Sequence, residues 1–179
     1  MSQWCGKPTP TEAVGEGPKL ASTGDEPDLR DVRLVVFILD GARYAVRLSE
    51  TERVLRMVAV SPLPGAPRVF AGVINLHGSV VPVVDVRRRL GLSPRAYGPD
   101  AHLLVVKSSR RALALPADEV LGVRTLPEGA EAEGRGVVPA PAAIAGIAAL
   151  SDGLVFIHDL EAFLSDDEER SLDRALEAT

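Results

Sequence analysis

The chain repeats its own pattern after a shift of 74 residues, and this repeat constrains the fold more than any other feature of the sequence. The matched positions are Gly72 with Gly146, Val73 with Ile147, Leu76 with Leu150, Val81 with Val155, Asp85 with Asp159, Val86 with Leu160 and Leu90 with Leu164. A weaker echo relates residues 52–55 to 118–121. Two copies of a hairpin-rich unit predict two similar small β subdomains whose apolar faces pack together.

Four hairpins are predicted from apolar runs that flank tight turns. They join residues 34–39 to 44–46, 72–76 to 80–84, 103–106 to 112–115, and 146–150 to 154–157. Pro82 lacks a backbone donor, which predicts an edge strand or a bulge. Asp85 and its repeat partner Asp159 stand where a helix N-cap would lie, and a short helix is expected over 86–90. The positions assigned to turns and caps are Gly41, Gly72, Pro82, Asp85, Gly153 and Asp159.

The two ends of the chain differ from the repeated region. Residues 1–30 contain four Gly and four Pro with no strand or helix period, so this extension is predicted to be disordered. At the other end, Ser165 and Glu168 form a capping box, and Leu172 and Leu176 share one helix face. Residues 165–179 are therefore predicted to form an acidic amphipathic helix packed on the domain, with most of its acids facing solvent.

Composition narrows the possible functions. The formal net charge of −5 divides into −6 for residues 159–179, −2 for residues 1–30 and +3 for the body between them. The single cysteine, Cys5, excludes an intramolecular disulfide framework. The longest apolar stretch, 137–150, is too short and too interrupted by proline and glycine to span a bilayer, so a cytoplasmic protein without direct membrane insertion is expected.

The sequence contains no recognisable active site. His77, His102 and His158 show no metal-ligand spacing, and His102 and His158 are interpreted as structural residues of strands. There is no glycine-rich phosphate loop, nucleophile elbow or Cys/His pair. Adjacent acids such as Asp118-Glu119 are interpreted as solvated turn residues. The chain is therefore predicted not to be an enzyme and to need no metal or cofactor.

The basic run Arg87-Arg88-Arg89 has three possible interpretations. Three consecutive residues of a helix spread around its circumference, so a solvated surface is favoured. A patch at the rim of an interface with an acidic partner is the second interpretation. A small nucleic-acid-binding β barrel is the third, and the shortage of aromatic residues disfavours it.

Several segments resemble one known family. The stretch 72–86, Gly-Val-Ile-Asn-Leu-His-Gly-Ser-Val-Val-Pro-Val-Val-Asp-Val, is similar to the most characteristic segment of the CheW-like domain. Residues 34–37 and 62–67, and Asp159-Leu160 followed by an acidic helix, are similar to other parts of it. The resemblance implies a CheW-like domain over residues 31–164. It also implies a mainly β fold of two small five-stranded SH3-like barrels related by pseudo-twofold symmetry.

The resemblance further implies a non-catalytic adaptor of bacterial chemosensory signalling. Such proteins couple methyl-accepting receptors to the regulatory domain of a CheA-type histidine kinase, through barrel-end contacts with the kinase and a groove between barrels for the receptor's helical tip. They are cytoplasmic and recruited to membrane receptor arrays. The residues implied in partner binding are the turn Asn75, Leu76, His77 and Gly78, and the helix-like segment 48–54 with Leu48, Thr51 and Arg53.

Some positions depart from the family pattern. His77 stands where the family usually has Arg, which would weaken a charge-assisted bond there or make it pH-dependent. Thr51 and Arg53 replace an apolar residue and an acid. A divergent paralogue that binds only one of the two partners, in a non-flagellar motility or other chemosensory pathway, is therefore a second expectation.

Overall fold

The structure, a computed structural model, describes residues 31–133, 143–151 and 153–178. The predicted disordered extension, 1–30, and the turn residue Asp152 lie outside the described residues. The strands are β1 (Val32–Leu39), β2 (Ala42–Arg47), β3 (Thr51–Arg56), β4 (Phe70–Leu76), β5 (Ser79–Val84), β6 (His102–Lys107), β7 (Ala112–Ala117), β8 (Glu119–Leu126), β9 (Glu131–Glu133), β10 (Ile144–Leu150) and β11 (Gly153–His158). The helices are α1 (Val86–Arg89) and α2 (Asp166–Glu177). The four predicted hairpins are present.

The strands form two sheets that correspond to the two small barrels. Barrel A has the order β8-β1-β2-β11-β10 with the short β9 added at its edge, and barrel B has the order β3-β6-β7-β5-β4. The predicted fold class is therefore confirmed: a mainly β chain with two five-stranded units and a C-terminal helix. Each barrel, however, combines the first hairpin of one repeat with the last strands of the other.

The repeat extends to the details of strand pairing. In β4 the register shifts between Phe70 and Gly72, and in β10 it shifts between Ile144 and Gly146, at the matching positions. For the earlier strands the structural offset is 69 residues, because Val54 lies opposite Leu104 while Val123 lies opposite Val35. The weaker sequence echo, which placed residue 54 on residue 120, was therefore wrong by three residues.

Three apolar clusters hold the molecule together. One fills barrel A and includes Leu34, Val36 and Ile157. A second fills barrel B and includes Ile74 and Val83. The third and largest, which we call the inter-barrel core, joins the two barrels and α2; its buried members include Val35, Phe37, Tyr44, Val46, Val84, Leu104, Val106, Leu113, Leu115, Phe163 and Leu172. Successive side chains of one strand face opposite sides of the sheet. On β1, for example, Leu34 and Val36 therefore belong to the cluster inside barrel A, while Val35 and Phe37 belong to the inter-barrel core.

The two repeated aspartates cap the chain after each hairpin. Asp85 accepts hydrogen bonds from the N–H groups of Arg87 and Arg88, at 3.1 and 3.4 Å, and caps α1. Asp159 accepts from the N–H groups of Glu161 and Ala162, at 3.0 and 3.2 Å, but a turn follows it instead of a helix. The repeat therefore preserves the cap, and the structure after the cap differs between its two copies.

Pro82 lies in an interior strand, so the expected edge position was wrong. Strand β5 has β4 on one side and β7 on the other. Opposite Pro82 is Val73, whose N–H and carbonyl both bond to Ser61 instead, at 2.8 and 2.9 Å. Pro82 therefore belongs to a non-hydrogen-bonded pair of the β4–β5 ladder, so its missing donor interrupts no bond of that ladder. Its nitrogen faces β7 instead, and the pairing of β5 with β7 is recorded at Val83 and Ala114.

Arg87 corrects the interpretation of the basic run as a solvated or rim surface. Its side chain is fully buried, and its guanidinium pairs with Asp118 at 2.5 Å and with Asp40 at 3.3 Å. Asp40 belongs to the β1–β2 turn of barrel A, whereas Arg87 follows β5 of barrel B. Tyr97 stacks on the guanidinium, 4.2 Å from ring centroid to Cζ. Arg87 therefore ties the two barrels together, and Asp118 is an ion-pair partner, not a solvated turn acid.

The other two arginines of the run also make contacts within the protein. Arg88, which is half exposed, pairs with Asp85 at 3.0 Å and donates to the carbonyl of Arg68 at 2.8 Å. Arg89 donates to the carbonyl of Phe163, its own partner under the 74-residue shift, so this contact joins the two copies of the repeat at equivalent positions. All three arginines of the run therefore bond other residues of the same protein.

Helix α2 has the predicted capping box, with Ser165 and Glu168 bonding each other's backbone N–H at 2.8 and 3.2 Å. Four of its six acids, Asp166, Asp167, Asp173 and Glu177, are exposed, as predicted for most of them. The prediction missed the ion pairs that the acids form. Asp166, Glu168, Glu169 and Asp173 pair with arginines of the body. Only Glu168 and Glu169 are shielded from solvent, so α2 combines exposed acids with ion pairs to the body.

Acid should weaken the contacts between the barrels. Burial alone would raise the pKa of Asp118, but the N–H of Asp40 and the guanidinium of Arg87 outweigh it and hold that pKa below its ordinary value. Burial alone would also raise the pKa of Glu168, but the N–H of Ser165 and the guanidinium of Arg89 outweigh it and lower that pKa. Carboxyl groups with a lower pKa in the folded state stabilise it above their unfolded pKa, and this contribution is lost as pH falls.

We therefore expect the free energy of unfolding, measured by urea denaturation, to decrease as the pH falls below about 5. The Asp118→Asn variant is the control and should show a shallower decrease, because one of the titrating groups is gone. An equal slope for both proteins would contradict the assignment to Asp118.

Candidate partner-binding site

The turn of the β4–β5 hairpin presents the first group of predicted site residues. His77 and Gly78 both have positive φ, at 52° and 90°, which is the geometry of the two-residue turns favoured in hairpins. The side chain of Asn75 accepts a hydrogen bond from the N–H of Gly78 at 2.8 Å and fixes the turn. Leu76 packs against the core of barrel B, while Asn75 and His77 are exposed. The turn thus holds an exposed amide and imidazole at one tip of barrel B.

The second group lies where β2 crosses over to β3, and its local structure differs from the prediction. Residues 48–54 were expected to be helix-like, but only Leu48–Glu50 form a 3₁₀ turn and β3 begins at Thr51. The hydroxyl of Thr51 donates to the carbonyl of Arg47 at 3.0 Å, which closes the turn. Leu48 packs against the inter-barrel core, and Arg53 is exposed. The strand pairing to β6 outweighs the weak helical preference of so short a segment.

Both groups belong to barrel B but to opposite ends of its strand order, β3 and β4. Leu55 of β3 and Leu76 of β4 pack against the same cluster inside the barrel. Their participation in one partner-binding surface stays a prediction.

Exposed apolar residues of both barrels, two of which lie on strands next to these groups, escaped the sequence analysis. Those on strands are Val54 at 39%, Val80 at 58%, Val123 at 46% and Leu154 at 60% exposure, and Val58 follows β3 at 47%. The four strand residues form two repeat pairs, Val54 with Val123 and Val80 with Leu154. The second pair could have been found from the 74-residue shift, because Val81 and Val83 occupy the inward positions and leave Val80 outside.

Val54 extends the inter-barrel core to the surface. It lies opposite Leu104, a buried member of that core, and β3 is the last strand of its sheet. Arg56 on the same strand face is exposed. Leu48 and Val54 therefore form a short apolar strip at the β3 edge, with exposed charges beside it and an open strand edge. These features are suited to binding another protein.

Glu50 gives the start of this strip an unusual electrostatic environment. Burial raises its pKa, Arg47 opposes the increase, and the carboxylates of Asp159 and Glu161 add to it. Glu161 itself accepts hydrogen bonds from the N–H of Ser109, at 2.6 Å, and from its hydroxyl. Glu161 corresponds to Arg87 under the 74-residue shift. Its contact with the β6–β7 turn therefore corresponds to the contact of Arg87 with the β1–β2 turn.

Both histidines that were assigned to strands lie in strands, His102 at the start of β6 and His158 at the end of β11. His158 is fully buried and stacks on Tyr44 with ring centroids 5.3 Å apart. Phe163 meets its edge at 5.2 Å. Among the described residues, no group of three His, Cys, Asp or Glu side chains is arranged to hold a metal ion. No helix in the described part of the chain is long and apolar enough to cross a membrane.

Comparisons with known proteins agree with this architecture. The family model for the CheW-like domain matches residues 33–168. The chemotaxis protein CheW of Bacillus subtilis (strain 168) is 27% identical over 96 residues, which cover 54% of this chain and 62% of that protein. The probable chemotaxis protein CheW of Rhizobium etli is 24% identical over 149 residues, which cover 79% of this chain and 92% of that protein.

A solved structure gives the same result for the fold. The crystal structure of the scaffolding protein TtCheW from Thermoanaerobacter tengcongensis is similar with a TM-score of 0.70 and 25% identity, covering 76% of this chain and 94% of that one. Because the family model spans well over half of the sequence and the fold is similar to that of a solved member, this chain belongs to the CheW-like family of non-catalytic chemotaxis scaffold proteins.

Proposed function

We propose that this protein is an adaptor that couples a methyl-accepting receptor to a CheA-type histidine kinase in a chemosensory array at the membrane. The observation that carries the proposal is the β3 edge, where Val54 and Leu48 continue the inter-barrel core to the surface. An apolar strip beside two packed barrels fits one face of a helix, and receptor tips of this class are helical. Glu52, Arg53 and Arg56 on β3 would supply the charged rim of that contact.

The kinase would bind at the barrel ends. Val80 and Leu154 lie at the beginning of β5 and β11, next to the hairpin turns, and are the two most exposed large apolar residues described. Because they are repeat partners, the two barrels present similar ends, as an adaptor that contacts more than one neighbour requires. The exposed turn Asn75–Gly78 lies beside the Val80 end and belongs to this contact or to the adjoining receptor contact.

We expect the Val54→Asp variant to weaken binding of a receptor tip from the same organism by about fivefold or more, because loss of a central apolar anchor typically costs more than about 1 kcal/mol. Titration calorimetry with the receptor tip and, separately, with the kinase regulatory domain measures this. Binding of the kinase domain should be unchanged, since Val54 lies away from the barrel ends.

The matched control is Val123→Asp, which places the same charge at the repeat-related position of barrel A, where exposure is similar. Equal effects of the two substitutions on receptor binding would contradict the placement of the site at β3. Binding of only one of the two partners by the unaltered chain would support the second candidate, a divergent paralogue. Thr51 and Arg53, which depart from the family pattern on that same strand, favour this candidate.

The hypothesis of a nucleic-acid-binding barrel loses the observation that supported it. The basic run that suggested it has Arg87 and Arg89 engaged in ion pairs within the protein, and only Arg88 is half exposed. A mobility-shift assay with single-stranded DNA over a range of salt concentrations tests this directly, and no shift is expected.

A further inference from the structure

Helix α2 sits on a surface that three arginines of the body surround. Arg89 belongs to α1, and Arg110 and Arg111 belong to the turn between β6 and β7. Each pairs with a carboxylate of α2. Arg89 meets Glu168 at 2.6 Å, and Arg110 meets Asp166 at 2.7 Å. Arg111 pairs with Glu169 at 2.9 Å and also with Asp173.

The same surface has an apolar floor. Leu172 is fully buried and Ala175 nearly so, and both pack into the inter-barrel core together with Leu164 and the partly buried Leu176. On an α-helix, positions 166, 169 and 173 lie along one side of the stripe that positions 172, 175 and 176 form. The body therefore contacts a defined helical pattern of three spaced carboxylates beside three apolar residues, in addition to Glu168, which pairs with Arg89.

We propose that this surface is a recognition site for an acidic amphipathic helix. Within the chain α2 fills it, and a helix of the same pattern on a partner protein can take its place. The pattern requires carboxylates at i, i+3 and i+7 and apolar side chains at i+6, i+9 and i+10. This inference is independent of the receptor and kinase contacts proposed above.

Two properties make α2 exchangeable. A helix of 12 residues is marginally stable by itself in water, so α2 owes its structure to the body it contacts. Its outermost ion pair, Arg110 with Asp166, is half to two-thirds exposed, and exposed pairs contribute little and weaken with salt. A competing helix must overcome the high effective concentration of the tethered α2, which for a short linker is in the millimolar range, about 1 mM.

The direct test uses a fluorescein-labelled peptide of residues 163–179 and the full-length chain. In the Glu169→Lys/Asp173→Lys variant, α2 presents lysines to Arg111 and is released, which leaves the site open. We expect this variant to bind the peptide at least about tenfold more tightly than the unaltered chain, in which α2 competes. Fluorescence anisotropy measures both affinities.

Changes at Arg111 provide the control. Adding Arg111→Ala to that variant should strongly weaken binding of the peptide, because Arg111 pairs with both Glu169 and Asp173 of the helix. Adding Arg111→Glu instead should let the tethered α2, with its two lysines, close the site again, so that α2 regains its hydrogen-exchange protection. Equal affinity of the double variant and the unaltered chain for the peptide, or peptide binding that does not respond to Arg111→Ala, would overturn the proposal.

A measurement on the unaltered chain covers the case in which the variant does not fold. Raising NaCl from about 0.1 M to about 1 M shortens the Debye length from about 10 Å to about 3 Å. Hydrogen-exchange protection of α2 should then fall several-fold while that of β6 and β7 stays constant. Protection of α2 that is independent of salt would show that charge does not hold the helix, and the proposal would be wrong.

Discussion

Replacing Gly72 with alanine should destabilise the protein by about 3 kcal/mol or more, because three contributions add at this position. A Cβ atom at Gly72 would lie 2.1 Å from the carbonyl oxygen of Ser61, a backbone atom that cannot move aside independently. The φ angle of 147° also strains any residue with a side chain. Moving Ser61 would break its two hydrogen bonds to Val73, of 2.8 and 2.9 Å. Urea denaturation monitored by circular dichroism measures the loss.

Two other glycines separate these contributions. Gly78 has a φ of 90° but no atom within 4 Å of an added Cβ, so Gly78→Ala should show the backbone strain alone, about 1–3 kcal/mol. Gly98 is equally open and lies outside the left-handed region, so Gly98→Ala should be neutral or slightly stabilising. If Gly72→Ala costs no more than Gly78→Ala, the close approach to Ser61 is not what fixes glycine there.

Replacing Arg87 with leucine should cost about 3–5 kcal/mol, the range observed when one partner of a buried ion pair is removed. Asp118 and Asp40 are only 24% and 29% exposed, and the substitution would leave their two negative charges paired with Arg95, which is itself 62% exposed. The expected loss lies toward the lower end of the range, because both carboxylates can regain some water. The same denaturation measurement applies, with urea as the variable.

The neighbouring Arg88 is the matched control for Arg87. Its side chain is 48% exposed and pairs with Asp85 at 3.0 Å, so Arg88→Leu should cost no more than about 1 kcal/mol. Arg87→Lys should fall between the two, because a single ammonium group keeps the charge but cannot bond both carboxylates as a guanidinium does. Equal losses for the Arg87 and Arg88 variants would contradict the role of Arg87 as the link between the barrels.

Local patterns carried most of the fold prediction. The hairpins follow from apolar alternation and from turn residues such as Asp40-Gly41 and His77-Gly78, which act over a few residues. The caps at Asp85 and Ser165 likewise depend only on nearby backbone N–H groups. The repeat then predicted two barrels, because two copies of an apolar-faced unit must cover each other.

The missed features depend on contacts between residues that are distant in sequence. Nothing in the neighbourhood of Arg87 indicates that Asp40 and Asp118 will surround it, so a basic run appeared to be a surface. The ion pairs of the α2 acids were missed because the arginines they contact, Arg89, Arg110 and Arg111, lie in other elements. For the candidate site, the resemblance supplied residues 48–54, but pairing with β6 decided that most of them form a strand.

The distribution of strands between the barrels has a consequence for the origin of the chain. Barrel A takes β1 and β2 from the first repeat and β8, β10 and β11 from the second, and barrel B takes the complementary set. A single repeat with this geometry would have neither barrel complete, and its apolar faces would be covered only when two copies exchanged their first hairpins. The fused chain thus resembles a strand-exchanged homodimer made permanent by one covalent connection, so assembly of the barrels no longer depends on protein concentration.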